Sequence, residues 1–215
     1  MGRVKRIVVC ETTVDEQALV DAVRAIRRGG VIAMPTDTLY GLGADPFQPD
    51  AVARVFHVKG RPVERALPLL AADTAQVIEH IGALPPLAAR LASRFWPGPL
   101  TLLVAAPSAL AADVSGETGK VGIRVPAHRV ARAVCRACGV PVTATSANIS
   151  GEAPSADLDE VARAIGDRID VLVDAGTTPG GPPSTVVDAT GAEPVLVRAG
   201  AIAWEQIQEC LHGTV

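Results

Sequence analysis

Apolar positions along the chain fall into two periods, and the alternation between them sets the expected architecture. Residues 3–10 and 31–35 are short aliphatic runs that predict strands. Between them, residues 15–28 place Leu19, Val20, Val23 and Ile26 on one helical face. Gly29-Gly30 ends that helix, as a left-handed cap requires. Pro49-Asp50 opens a second helical stretch carrying Val52, Val55 and Phe56 toward Lys59. Residues 68–71 predict a strand, and Asp73 is placed to cap a helix running to His80. Residues 87–95 predict a helix stopped by Trp96-Pro97-Gly98-Pro99, ahead of a strand at 100–105.

Further strands are expected at 120–125, 140–145, 171–174, 185–188 and 195–198, with helices near 127–138, 158–165 and 204–211. Strands and helices alternate irregularly. That predicts an α/β (α+β) architecture, a mixed sheet with helices outside it, and not a strict doubly wound fold. No repeat, low-complexity tract or long linker divides residues 1–215, so one domain is expected, with 176–183 a loop inside it.

Composition narrows the function classes. With 215 residues, 48% hydrophobic and 20% charged, the chain can bury a sizeable core. Six aromatic residues leave little from which to build a base-stacking surface, and a net charge of −3 argues against a nonspecific nucleic-acid binder. Four cysteines without a secretory leader fit a reducing, cytoplasmic setting. Cys135 and Cys138 form a C-x-x-C, but they lie in a helical stretch with no second pair to complete a zinc site, and they are expected to be partly buried helical residues. No apolar run approaches the roughly 20 residues of a membrane span.

Against this background, Pro35-Thr36-Asp37-Thr38-Leu39-Tyr40-Gly41-Leu42-Gly43 stands out. It packs hydroxyls, a carboxylate, a phenol and chain breaks directly behind an apolar strand. Such a segment reads as a loop approaching a ligand closely, where α/β proteins place their sites. Cations gather at comparable turns and strand ends: Lys59, Arg61, Arg65, Lys120, Arg124 and Arg198. Each alone reads as a solvated surface charge, whereas the group is suited to phosphate and carboxylate recognition. A third stretch, residues 143–151, offers Ser146 and Asn148 as uncharged donors and acceptors among small residues.

Together with Phe95-Trp96-Pro97-Gly98-Pro99-Leu100-Thr101, Ser184-Thr185-Val186-Val187-Asp188 and Arg198-x-Gly200, these motifs resemble the YrdC-like threonylcarbamoyl-AMP synthases in order and spacing across nearly the whole chain. The chain looks like the short form of that family, without the additional C-terminal domain of longer relatives. The resemblance implies a twisted, mostly mixed sheet of the YrdC and RibB type with a concave, positively charged cavity. It also implies a reaction in which L-threonine, bicarbonate or carbon dioxide, and ATP with magnesium yield threonylcarbamoyl-AMP and pyrophosphate. The product would pass to a threonylcarbamoyl-transfer machinery acting on tRNAs that read codons beginning with A, with direct tRNA contact an open expectation.

By the same resemblance, Thr38, Tyr40, Arg124, Ala144 and Ser184 would form the threonine pocket, and Arg61, Arg65, Lys120, Ser146, Ser155 and Arg198 would hold ATP. Lys59, Arg61 and Asn148 would line the reacting centre, and no protein-bound metal is expected beyond magnesium carried by ATP. Two positions depart from the family pattern. Leu70 stands where longer relatives carry a threonine-contacting histidine, and Pro154 where some place a serine, which Ser155 would replace. Two rival readings are a noncatalytic module binding double-stranded or transfer RNA, and a carbamoyl-adenylate-forming domain of the hydrogenase-maturation type.

Overall fold

A computed structural model describes residues 4–60 and 66–212. The first strand, β1 (Lys5–Val8), leads through a 3-10 turn at Glu16–Leu19 into α1 (Val20–Arg27). Next come β2 (Ile32–Met34), β3 (Gly41–Gly43), α2 (Pro49–Lys59), β4 (Leu69–Leu70), α3 (Thr74–His80) and α4 (Pro86–Phe95). The middle of the chain forms β5 (Leu100–Ala105), α5 (Ala112–Ser115), β6 (Lys120–Arg124), α6 (Arg129–Cys138), β7 (Val142–Thr143) and β8 (Thr145–Ser146). It ends with α7 (Leu158–Ile165), β9 (Val171–Asp174), β10 (Thr185–Asp188), β11 (Val195–Arg198) and α8 (Trp204–His212).

The local signals act as their chemistry demands. Asp73 accepts from the Gln76 amide at 3.0 Å and caps α3. Pro49 opens α2, where its missing N–H costs nothing, and Gly60 closes the helix at φ 58°. Residues 15–28 do not form one helix; the first turn is 3-10, and Val20 lies 36% exposed while Leu19, Val23 and Ile26 are buried.

The strands form two mixed sheets, where a single sheet was expected. The five-stranded sheet runs β1-β9-β2-β3-β8 and the six-stranded sheet β11-β10-β5-β6-β4-β7. Residues 140–145, read as one strand, divide at Ala144: β7 pairs antiparallel with β4 in one sheet, and β8 antiparallel with β3 in the other. Residues 41–43, read as loop, are a strand hydrogen-bonded on both sides.

Two apolar clusters cover the faces. Ile32 and Met34 of β2 and Val171 and Val173 of β9 pack beneath α1 and α6, while Ala33 and Leu172 point into the larger cluster shared by both sheets. Strands covered on both faces read as unbroken apolar runs, which is why their side-chain period was invisible in the sequence. Leu70 is 2% exposed in the α6 cluster and supplies apolar packing there.

Candidate functional site

Lys59 is the last residue of α2, and only 3% of it is exposed. A cation at a helix C-terminus faces the negative end of the helix dipole. Its ammonium reaches the Ser146 carbonyl at 2.6 Å, the Asn148 carbonyl and Asn148 Oδ1 at 3.0 Å each, and Ser146 Oγ at 3.4 Å. At least four oxygens therefore share the three ammonium protons. Ser146 Oγ donates to Asn148 Oδ1 at 2.5 Å, and Asn148 Nδ2 donates to the Ile149 and Glu152 carbonyls. The Ser150 amide returns to the Lys59 carbonyl at 2.8 Å, so the helix end and the turn after β8 are tied in both directions.

A second cluster forms at the ends of β6 and β11. Arg124 is 6% exposed; its Nη2 pairs with Asp37 Oδ1 and its Nε donates to the Gly98 carbonyl at 3.0 Å. The other Asp37 oxygen accepts from the Ala127 amide at 3.2 Å. Arg198 donates from Nη2 to the Ser184 carbonyl at 2.7 Å and to Ser184 Oγ at 3.0 Å. Ser184 Oγ lies 2.8 Å from Thr101 Oγ1, both groups buried. Partial burial lowers the Arg198 pKa, and the Arg124 charge lowers it further.

Other sequence-derived candidates are placed as follows. Thr38 lies on the 35–40 segment, its hydroxyl 3.1 Å from Thr36 Oγ1 and its carbonyl accepting from the Gly180 amide and the Thr178 hydroxyl. Tyr40 is fully buried, and its hydroxyl donates to the Gly176 carbonyl at 2.6 Å, so it props the 176–180 loop from behind. Ala144 is half-buried at the step between the sheets, its amide donating to the Pro68 carbonyl at 2.7 Å. Lys120 pairs with Asp188 at 2.6 Å. Burial raises the Asp188 pKa, but hydrogen bonds from Lys120 and Thr190 outweigh it and hold the carboxyl below its ordinary value. Ser155 donates to Glu160 at 2.6 Å and accepts from the Asp157 amide at 2.9 Å. Arg61 and Arg65 lie outside the described residues.

Asp37, Thr36 and Thr101 were not among the candidates, although each sits inside a singled-out motif. Asp37 was the detectable one: a carboxylate in a hydroxyl-rich turn, in a chain whose candidate site residues were otherwise cationic or neutral. Among the described residues, no group of three or more His, Cys, Asp or Glu is arranged to hold a metal ion. No helix among them is long and apolar enough to cross a membrane.

The fold and these clusters define a mixed-sheet α/β protein in which cations from strand and helix ends are gathered onto carbonyl, amide and hydroxyl oxygens. The Sua5–YciO–YrdC family model, described as "Telomere recombination", matches residues 24–200, and the chain belongs to that family. It is 39% identical over 199 residues to a threonylcarbamoyl-AMP synthase of Bacillus subtilis, a match covering 92% of this chain and 58% of that protein. It is 36% identical over 180 residues to one of Vibrio parahaemolyticus, covering 83% of this chain and 96% of that one. A crystal structure of Pyrococcus abyssi Sua5 complexed with L-threonine superposes with a TM-score of 0.90 at 36% identity, over 96% of this chain and 61% of that one. The chain thus spans about three fifths of the length of the Bacillus and Pyrococcus relatives.

Proposed function

We propose that this protein is an L-threonylcarbamoyladenylate synthase. It would carboxylate the amine of L-threonine with bicarbonate or carbon dioxide, join the carbamate oxygen to the α-phosphorus of ATP, and release pyrophosphate. The observation that carries this reading is the gathering of Lys59, Arg124 and Arg198 at helix and strand ends, each held in place by oxygens of the surrounding motifs. Cations fixed in this way suit anionic groups, and this reaction brings two anions together.

The electrostatics favour such a design. A carbamate and a triphosphate meeting at about 4 Å repel by roughly 4 kcal/mol at an effective dielectric near 20, which slows reaction about a thousandfold. Fixed cations offset that cost, and positioning replaces a protein nucleophile. Arg124 presents its remaining guanidinium edge to the threonine carboxylate, with Thr38, Ala144 and Ser184 completing the pocket and Tyr40 supporting its wall. Arg198, Lys120, Ser146 and Ser155 hold ATP, with Arg61 and Arg65 assigned to the triphosphate. Lys59 and Asn148 lie at the reacting centre, where the ammonium fixes the Asn148 amide and adds positive charge. These cations would line a concave basic surface.

Magnesium enters as part of the substrate Mg·ATP. The product would feed tRNA threonylcarbamoylation through a separate transfer machinery in the cytoplasm, and residues 1–215 would act as one domain. Purified protein with ATP, magnesium, bicarbonate and L-threonine should release pyrophosphate; release independent of threonine would refute the reading. Turnover of carbamoyl phosphate in place of threonine and bicarbonate would favour the hydrogenase-maturation chemistry.

A further inference from the structure

On the outer face of the five-stranded sheet, α1 and α6 pack side by side over the apolar cluster that contains Ile32, Met34 and Val173. Two grooves flank this pair, and none of their lining residues belongs to the strand-end clusters. The larger, of about 550 Å³, is lined by Val20, Val23 and Ala137 together with Arg24, Arg27 and Arg28. The smaller, of about 260 Å³, sets Val14 and Ala133 beside Arg129, Arg132 and Arg136. Val23 and Ala133 are buried at the base of the grooves, Val14 and Ala137 are half-buried, and Val20 is exposed among arginines that are exposed except for half-buried Arg132, so each groove has a small apolar floor and a cationic rim.

The charge of this face opposes that of the chain. Six arginines line the two grooves against Glu11 and Glu16, in a chain of net charge −3. Among the described residues, few of their donors are consumed internally. Arg24 reaches Asp21 only at 3.4 Å, and Arg136 reaches Asp73 only at 3.6 Å. Arg27 donates to the Ala137 carbonyl and Arg129 to the Thr12 carbonyl. Among the described residues, Arg132 Nε has no hydrogen-bond partner, although that atom is itself buried below the rim. Val20 lies beside these arginines at 36% exposure, although the helical period assigned it to the buried face.

A bare polyanion would satisfy the arginines but gain nothing from the valine and alanine floor. An acidic amphipathic helix satisfies both, laying apolar residues at i, i+3 and i+4 into the groove while its carboxylates meet the rim. Arginine is also the cation enriched at protein interfaces, where its planar fork pairs with carboxylates. The eight residues of α1 and ten of α6 correspond to about 12 and 15 Å of helix, room for two to three turns of a partner. We propose that this face docks an acidic amphipathic helix of a partner protein, its apolar side laid on Val20 and its carboxylates paired with the arginine rims.

The inference does not depend on the reaction assigned above. A fluorescein-labelled helical peptide of leucine and glutamate heptads should bind the whole protein saturably in an anisotropy titration at low salt. Val20→Asp, and separately the pair Arg27→Glu with Arg132→Glu, should weaken it at least tenfold while leaving near-ultraviolet circular dichroism and threonine-dependent pyrophosphate release unchanged. The same peptide with lysine in place of glutamate should regain affinity for the doubly reversed variant. Equal or tighter binding of polyglutamate or of a double-stranded RNA would make the face a general polyanion surface and overturn the proposal. Absence of saturable peptide binding, or loss of pyrophosphate release in the same variants, would overturn it as well.

Discussion

The Lys59 ammonium lies 3.0 Å from Asn148 Oδ1, joining the end of one helix to a turn 89 positions further along the chain. Removing the cation takes a donor from the Ser146 and Asn148 carbonyl oxygens, while Asn148 Oδ1 keeps the Ser146 hydroxyl. Hydrogen bonds to charged groups contribute about 1.5–3 kcal/mol each and do not add fully. Lys59→Met is therefore expected to lose about 2–4 kcal/mol in urea unfolding. Threonine-dependent pyrophosphate release should fall at least a hundredfold, and wild-type turnover in this variant would remove Lys59 from the reacting centre.

Asp37 fixes one edge of Arg124 while the Gly98 carbonyl fixes another. Asp37→Asn keeps the shape but uncouples the charge, and stripping one partner from a buried pair costs about 3–5 kcal/mol. In steady-state kinetics the KM for threonine should rise about tenfold or more, with a smaller change in the KM for ATP. An equal rise in both would mean that Arg124 does not face the amino acid.

At Gly200 a Cβ would stand 2.3 Å from the Pro183 carbonyl oxygen and 2.5 Å from the Ser184 carbonyl carbon. The obstruction is backbone, so it cannot swing away. Gly200→Ala should shift the 183–185 segment and misplace Ser184 and Arg198, at a stability cost of about 1–3 kcal/mol. Weakened ATP binding by calorimetry would register the displacement; unchanged binding would separate Ser184 and Arg198 from the nucleotide.

Burial pushes the Tyr40 hydroxyl up to about 12, from an ordinary value of 10.0. The unfolded chain loses this proton near pH 10, while the folded protein keeps it. Stability contributed by the neutral phenol is thus complete below pH 10 and is lost as pH rises from 10 toward 12, by about 2–3 kcal/mol in all. Comparing urea midpoints of wild type and Tyr40→Phe across that range should show the wild type losing more.

Cys10 is exposed, and hydrogen bonds from Thr12 and Thr13 lower its thiol to about 6. Iodoacetamide should label it first at neutral pH, with the rate falling as pH drops through 6. Burial raises the thiols of Cys135 and Cys138, the latter to about 12, and the expected partial exposure of this pair gives way to full burial on α6. Neither should react before unfolding, and mass spectrometry of partly labelled protein distinguishes the sites.

Legibility in the sequence followed the range of the forces involved. Residues 100–105, 171–174, 185–188 and 195–198 were readable at their bounds because aliphatic runs stood between turn residues. Residues 41–43 were not, since two of the three are glycines and their strand exists only through neighbours; a Cβ on Gly41 would stand 3.3 Å from the Thr145 carbonyl oxygen. Val20 matched a helical period that a 3-10 turn immediately upstream shifted out of phase. At the site, residue identities were visible in the motifs, but the pairing of Arg124 with Asp37 spans 87 positions and no local pattern encodes it. Leu70, read in the sequence as a departure from the family pattern, packs in the apolar cluster beneath α6.

Ala144 alone separates a strand of one sheet from a strand of the other. Through β4, the strand before it is two ladders from Arg124, and the strand after it ends on the oxygens that hold Lys59. The same two sheets are also tied by the Arg124–Asp37 pair and by hydrogen bonds in both directions between Thr143 and Ala44. A displacement at Arg124 is thus passed toward the oxygens that hold Lys59 through backbone and side-chain links together.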